Sequence, residues 1–75
     1  MKHDVEIIIH TNVIKGFIDG DKMTVAVDMD YCDDYDDVIQ DIENTIWTKY
    51  GKSLHFNRDF EIDEDNSIKI CDLFN

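Results

Sequence analysis

The stretch DDYDDVIQDIENTIWTKYG, residues 33–51, decides the fold. Tyr35, Val38, Ile39, Ile42, Ile46 and Tyr50 recur at helical spacing and define one buried stripe. Asp33 or Asp34 supplies the N-cap. Asp36 and Asp37 fall in the first turn, where the helix dipole favours negative charge. Lys49 lies in the last turn and Gly51 follows as the C-cap. A helix with a single apolar stripe must lay it on something, and the segments on either side supply a sheet.

Upstream, residues 5–18 (VEIIIHTNVIKGFI) are β-branched and aromatic with no proline, which predicts a long strand. Its alternation is imperfect. Val5, Ile7, Ile9, Val13 and Phe17 share one parity, and Ile8, Ile14 and Ile18 the other, so a bend is expected near His10-Thr11-Asn12 or at Gly16. Asp19-Gly20 supplies a hairpin turn, and Met23 to Met29 form a second strand with Met23, Val25, Val27 and Met29 inward. Downstream, Leu54, Phe56, Phe60 and Ile62 share a parity that Arg58 interrupts. Asp63-Glu64-Asp65-Asn66 reads as a turn, and Ser67–Phe74 as a last strand with Ile68 and Ile70 inward. The predicted class is α+β: a single domain, residues 1–75, in the order strand-strand-helix-strand-strand, with one helix on a mainly antiparallel sheet.

The composition narrows the function. The chain has 75 residues and carries 18 Asp and Glu against 7 Lys and Arg, a formal net charge of −11. Such a surface disfavours direct binding to nucleic acid or an anionic membrane and favours a basic partner. A hydrophobic fraction of 43% supports a real core and argues against disorder. The longest apolar run, Ile7-Ile8-Ile9, is far short of a membrane span, and Met1-Lys2-His3-Asp4 does not open a signal peptide. A cytoplasmic protein with Cys32 and Cys71 reduced is the expectation. Asp28-x-Asp30 and Asp63-x-Asp65 resemble calcium loops, but neither has Gly at the sixth position or Glu at the twelfth. His3, His10 and His55 lack metal-ligand spacing, and no catalytic constellation or phosphate-binding glycine loop is visible. No cofactor, metal or enzymatic activity is expected.

The informative feature is where the acids fall. Between Asp28 and Glu43 lie eight carboxylates: Asp28, Asp30, Asp33, Asp34, Asp36, Asp37, Asp41 and Glu43, with no Lys or Arg among them. A second group includes Asp63, Glu64 and Asp65. Soluble helices usually interleave signs, yet Asp33–Asp37 and Asp37–Asp41 are like-charge i,i+4 pairs. Residues 33–43 carry six carboxylates over about 16 Å of helix, one per ~3 Å, roughly half the axial charge density of duplex DNA. Trp47 sits on the flank of the apolar stripe shared with Asp36, Gln40 and Glu43, where it suits an interface anchor.

The run from Asp28 to Glu43 resembles the acidic helices of phage-encoded DNA-mimic proteins. That class includes anti-restriction proteins, uracil-DNA glycosylase inhibitors, anti-CRISPR proteins and phage inhibitors of the histone-like protein HU. Its members share no fold, so the resemblance implies a binding mode. It implies an inhibitor that occupies the DNA-binding groove of a basic host protein, first an HU-type nucleoid protein and next a Cas nuclease. The same surface also fits an antitoxin or immunity protein plugging a basic nuclease, or an acidic module joining a complex through sheet edges. A homodimer is expected, because a first strand apolar on both faces leaves one face uncovered by a single helix, and that face or an exposed strand edge needs a partner.

Overall fold

The computed structural model describes residues 1–74. The central helix, α1, spans Tyr35–Tyr50. Asp34 is its N-cap, in extended backbone conformation, and its carboxylate accepts the Asp37 N–H at 3.0 Å. The Asp37 carboxylate in turn accepts the Asp33 N–H at 2.9 Å, a reciprocal brace in the manner of a capping box. Thus the like-charge pair Asp33–Asp37 is offset locally by a charge-assisted backbone bond. Gly51 closes the helix at φ 68°, a left-handed position that glycine adopts without steric cost, and donates its N–H to the Trp47 carbonyl at 2.8 Å. Val38, Ile42 and Ile46 are fully buried, with Tyr35, Ile39 and Tyr50 on the margins of the stripe.

The strands are β1 (Lys2–Ile9), β2 (Lys22–Asp28) and β3 (Phe60–Ile62). They form one antiparallel sheet in the order β2-β1-β3. Val5, Ile7 and Ile9 of β1, Met23, Val25 and Val27 of β2, and Phe60 and Ile62 of β3 face the helical side. A short 3-10 turn, Met29–Tyr31, turns the chain from β2 toward α1, so Met29 lies just past the strand rather than within it.

Two expectations about the strands are corrected. The first strand ends at Ile9 and does not run to residue 18. Residues 10–21 form a loop held by backbone bonds and by two of its own side chains. Asn12 Oδ1 accepts the Asp19 N–H at 2.8 Å and Asp21 Oδ2 accepts the Ile18 N–H at 3.0 Å. Gly20, at φ 97°, supplies the expected left-handed turn residue, but that turn closes this loop instead of a tight hairpin. Ile14 enters the core, Phe17 meets Tyr50 edge to face at 6.1 Å, and Val13 and Ile18 are exposed.

The expected last strand, Ser67–Phe74, is a helix. It forms most of α2, Glu64–Leu73, and Asp63-Glu64-Asp65-Asn66 are its N-cap and first turn rather than a hairpin turn. Glu64 and Asp65 complement the dipole there, and Ser67 N–H donates to the Asp63 carbonyl at 2.8 Å. Asn66 Oδ1 accepts the Glu6 N–H at 3.1 Å and ties the turn to β1. Helical geometry separates the two isoleucines: Ile70 is 4% exposed and Ile68 54%. Arg58 stands in the turn before β3, beside Asn57 at φ 70°, and pairs with its neighbour Asp59 at 2.9 Å.

Ile70 of α2 and the stripe of α1 join the inner sheet face in one apolar cluster, so both helices lie on the same side. The outer face carries Asp4, Glu6, Thr24, Ala26 and Glu61, with Ile8 as its apolar member on β1, and Lys22 reaches Glu6 across it at 3.4 Å. One ground for the expected homodimer is therefore corrected: the strand apolar on both faces is absent among the described residues. The sheet leaves the edge of β2 open along the length of the strand.

Candidate functional site

The acids of α1 divide by what they already hold. Asp34 and Asp37 cap the helix. Glu43, half-buried, accepts the Phe56 N–H at 3.1 Å and braces the segment leading to β3. Asp33, Asp36 and Asp41 make no side-chain hydrogen bond among the described residues. Asp33 and Asp36 are exposed, and Asp41 is half-buried on the flank. No Lys or Arg pairs with any acid of α1 among the described residues. The ion pairs lie elsewhere: Met1 with Asp28 and Asp30, Lys22 with Glu6 and Asp63, and Arg58 with Asp59, while the His10 ring lies 3.8 Å from Asp19 and 3.4 Å from Glu61.

Asp28 and Asp30 stand apart from the helical array, at the end of β2 and in the 3-10 turn, where they lie against Met1. Asp63 is half-buried and 3.8 Å from Lys22, whereas Glu64 and Asp65 are exposed and pair with no Lys or Arg among the described residues. The two acidic segments meet at the helix ends. Tyr35 in the first turn of α1 hydrogen-bonds Ser67 of α2 at 2.8 Å, so the acidic N-terminal turns of both helices are neighbours. Trp47 projects from the far end of α1, 59% exposed. It lies about 16 Å along the axis from Asp36, at ~1.5 Å per residue.

A shallow depression of about 160 Å³ opens between the 3-10 turn and α1, lined by Tyr31, Cys32, Asp37, Gln40, Asp41 and Asn44. Tyr31, 84% exposed, is a surface aromatic beside the acids that the sequence reading does not single out. Its signal is present in sequence only as an aromatic inside the acidic run, with no periodicity to place it. Burial and the carboxylates of Asp41, Asp37, Asp28 and Asp33 push the Cys32 thiol up. Cys32 is buried and Cys71 exposed, so a disulfide-exchange reagent at pH 7 should label one thiol per folded chain and the second only on unfolding. Rapid labelling of both would contradict this burial.

The pattern predicts the response to salt and acid. The uncompensated charges of α1 repel, so raising salt from ~0.05 to ~0.5 M at pH 7 should raise the melting temperature. The two carboxylates with clear shifts act on the acid side. The Arg58 guanidinium, then the His55 amide, hold Asp59 below the usual carboxylate range. Desolvation raises Asp28, but the Asp30 amide and the Met1 ammonium outweigh it, and its net shift is also downward. A depressed folded pKa contributes stability that is complete above the unfolded value of ~3.9 and lost as pH falls through the folded value. Melts should therefore show a loss below about pH 4 that shrinks in Asp59→Asn. A melting temperature indifferent to salt would show that the acids do not strain the fold.

Among the described residues, no group of three or more His, Cys, Asp or Glu side chains is placed to hold a metal ion. Nor is any helix long and apolar enough to cross a membrane. Comparison with protein-family models, with curated proteins and with solved structures finds no match to this chain.

Proposed function

We propose that this domain is a DNA-mimic inhibitor, acting in a host cytoplasm, that occupies the DNA-binding groove of a basic host protein. An HU-type nucleoid protein is the first candidate and a Cas nuclease the second. The observation that carries the reading is the array on α1: its carboxylates meet no Lys or Arg among the described residues, and Glu64 and Asp65 extend it from α2. Asp33, Asp36 and Asp41 are the acids free to replace phosphates, because their side chains hold nothing else among the described residues. Trp47 and Tyr31 supply exposed aromatic surface at the ends of the array. A groove built for phosphates would exchange its counterions for these carboxylates, so binding should weaken steeply with salt. The test is capture from host lysate on the immobilised domain at low salt, elution with salt, and competition of the eluted protein with duplex DNA. Recovery of proteins that do not bind DNA, or binding indifferent to both salt and DNA, would reject the reading.

A further inference from the structure

The second open feature of the molecule is the free edge of β2, and it does not depend on the acidic array. The Ile9 N–H donates to the Asp21 carbonyl at 2.8 Å, and the Met29 N–H to the Met1 carbonyl at 3.0 Å. These bonds bracket the β1–β2 ladder in a single register. Hydrogen-bonded and non-hydrogen-bonded pairs alternate along an antiparallel ladder. Met23, Val25 and Val27 therefore turn their backbone groups toward β1, and Thr24 and Ala26 turn theirs outward. Neither bulge nor proline nor inward charge blunts the middle of this edge, and its one lysine, Lys22, stands at the start of the strand and is drawn to Glu6 and Asp63.

Along the same edge runs a groove of about 230 Å³. Thr24, Val25 and Ala26 form its floor, and Thr45, Ile46 and Lys49 of α1 its roof. α1 packs against β2, which is an edge strand, so the helix and the strand edge form the two walls of the groove.

We propose that this groove takes a single extended segment of another protein as a fourth strand, with apolar residues inward and basic residues outward. Its backbone would pair with the outward N–H and C=O groups of Thr24 and Ala26. The inward side chains would lie under Thr45, Ile46 and the stem of Lys49. On the outer face the small side chain of Ala26 leaves Asp4 lining the groove, and Asp4 has no ion-pair partner among the described residues. A basic side chain opposite Ala26 meets it there, drawn by a domain of net charge −11. A second copy of this chain carries the same net charge of −11 and is repelled where a basic segment is drawn.

The test uses a capped nine-residue peptide alternating valine and lysine, titrated into the folded domain at ~0.15 M salt and followed by amide chemical shifts. The expected result is saturable binding that moves the Thr24 and Ala26 amides. A peptide of the same composition with its lysines in one block, and the alternating peptide N-methylated on its edge-facing amides, should each bind at least about tenfold more weakly. Ala26→Pro removes an outward N–H without touching the β1 pairing and should weaken binding similarly. If that variant unfolds, the N-methylated peptide gives the same readout on the unaltered protein. Equal binding of the block or methylated peptide would reduce the effect to charge attraction and overturn the proposal. So would binding that leaves the Thr24 and Ala26 amides unmoved, no binding at all, or a dimer by light scattering that already protects those amides.

Discussion

Replacing Asp33, Asp36 and Asp41 together by lysine should cut displacement of DNA from an HU-type protein by on the order of a hundredfold or more while the domain stays folded. The net charge moves from −11 to −5, and all of the change falls on the acidic segment proposed to meet the groove, with Asp36 and Asp41 about 140° apart around the helix. The choice of positions matters. The sequence alone suggests Asp33, Asp37 and Asp41, at i,i+4 spacing. In the structure Asp37 accepts the Asp33 N–H, so lysine there would also remove a cap, at about 1 kcal/mol, and confuse binding with stability. Asp36 has no such duty among the described residues. Reversing Glu64 and Asp65 should have a smaller effect in the same direction. If the α1 triple variant still displaces DNA at the original concentration, the helix is not the phosphate surface, and the first turn of α2 becomes the candidate.

The parts of this molecule that were readable in sequence are those set by local chemistry. The α1 boundaries follow from Asp34 and Gly51, and its buried face from a 3.6-residue period, so both could be read without tertiary information. The inward parity of Met23, Val25 and Val27 was legible for the same reason, since a strand with one solvated face alternates. The failures lie where tertiary contacts override local preference. Residues 10–18 have strong strand composition, yet Asn12 and Asp21 capture their backbone in a loop. In 67–74, Ile68 and Ile70 imitate strand alternation, and the contacts that favour a helix come from Glu6 and Tyr35, distant in sequence. The acidic array could be seen as composition. Which acids are free could not, because the claims on them come from Met1, Lys22 and Phe56, remote along the chain.

Phe60→Ala should remove most of the stability of the domain. Phe60 is 0% exposed and among the largest fully buried side chains. It pairs with Ile9 across the β1–β3 ladder and meets Phe56 edge to face at 5.7 Å. Truncating a buried phenylalanine costs about 3–5 kcal/mol. A domain this small has of order 4–11 kcal/mol in total, at 0.05–0.15 kcal/mol per residue. With 4–8 °C lost per kcal/mol, the melting temperature should fall by roughly 12–40 °C. Two further variants separate loss of the core from general fragility and check the form of the last segment. Ile70→Ala should cost about 2–5 kcal/mol, whereas Ile68→Ala, on the exposed side of α2, should stay within ~0.5 kcal/mol. In a strand with both isoleucines inward the two costs would be similar. Comparable destabilisation by Ile68→Ala and Ile70→Ala would therefore overturn the helical assignment of α2. It would also remove the Tyr35–Ser67 contact that brings the two acidic turns together, leaving α1 as the whole of the proposed surface.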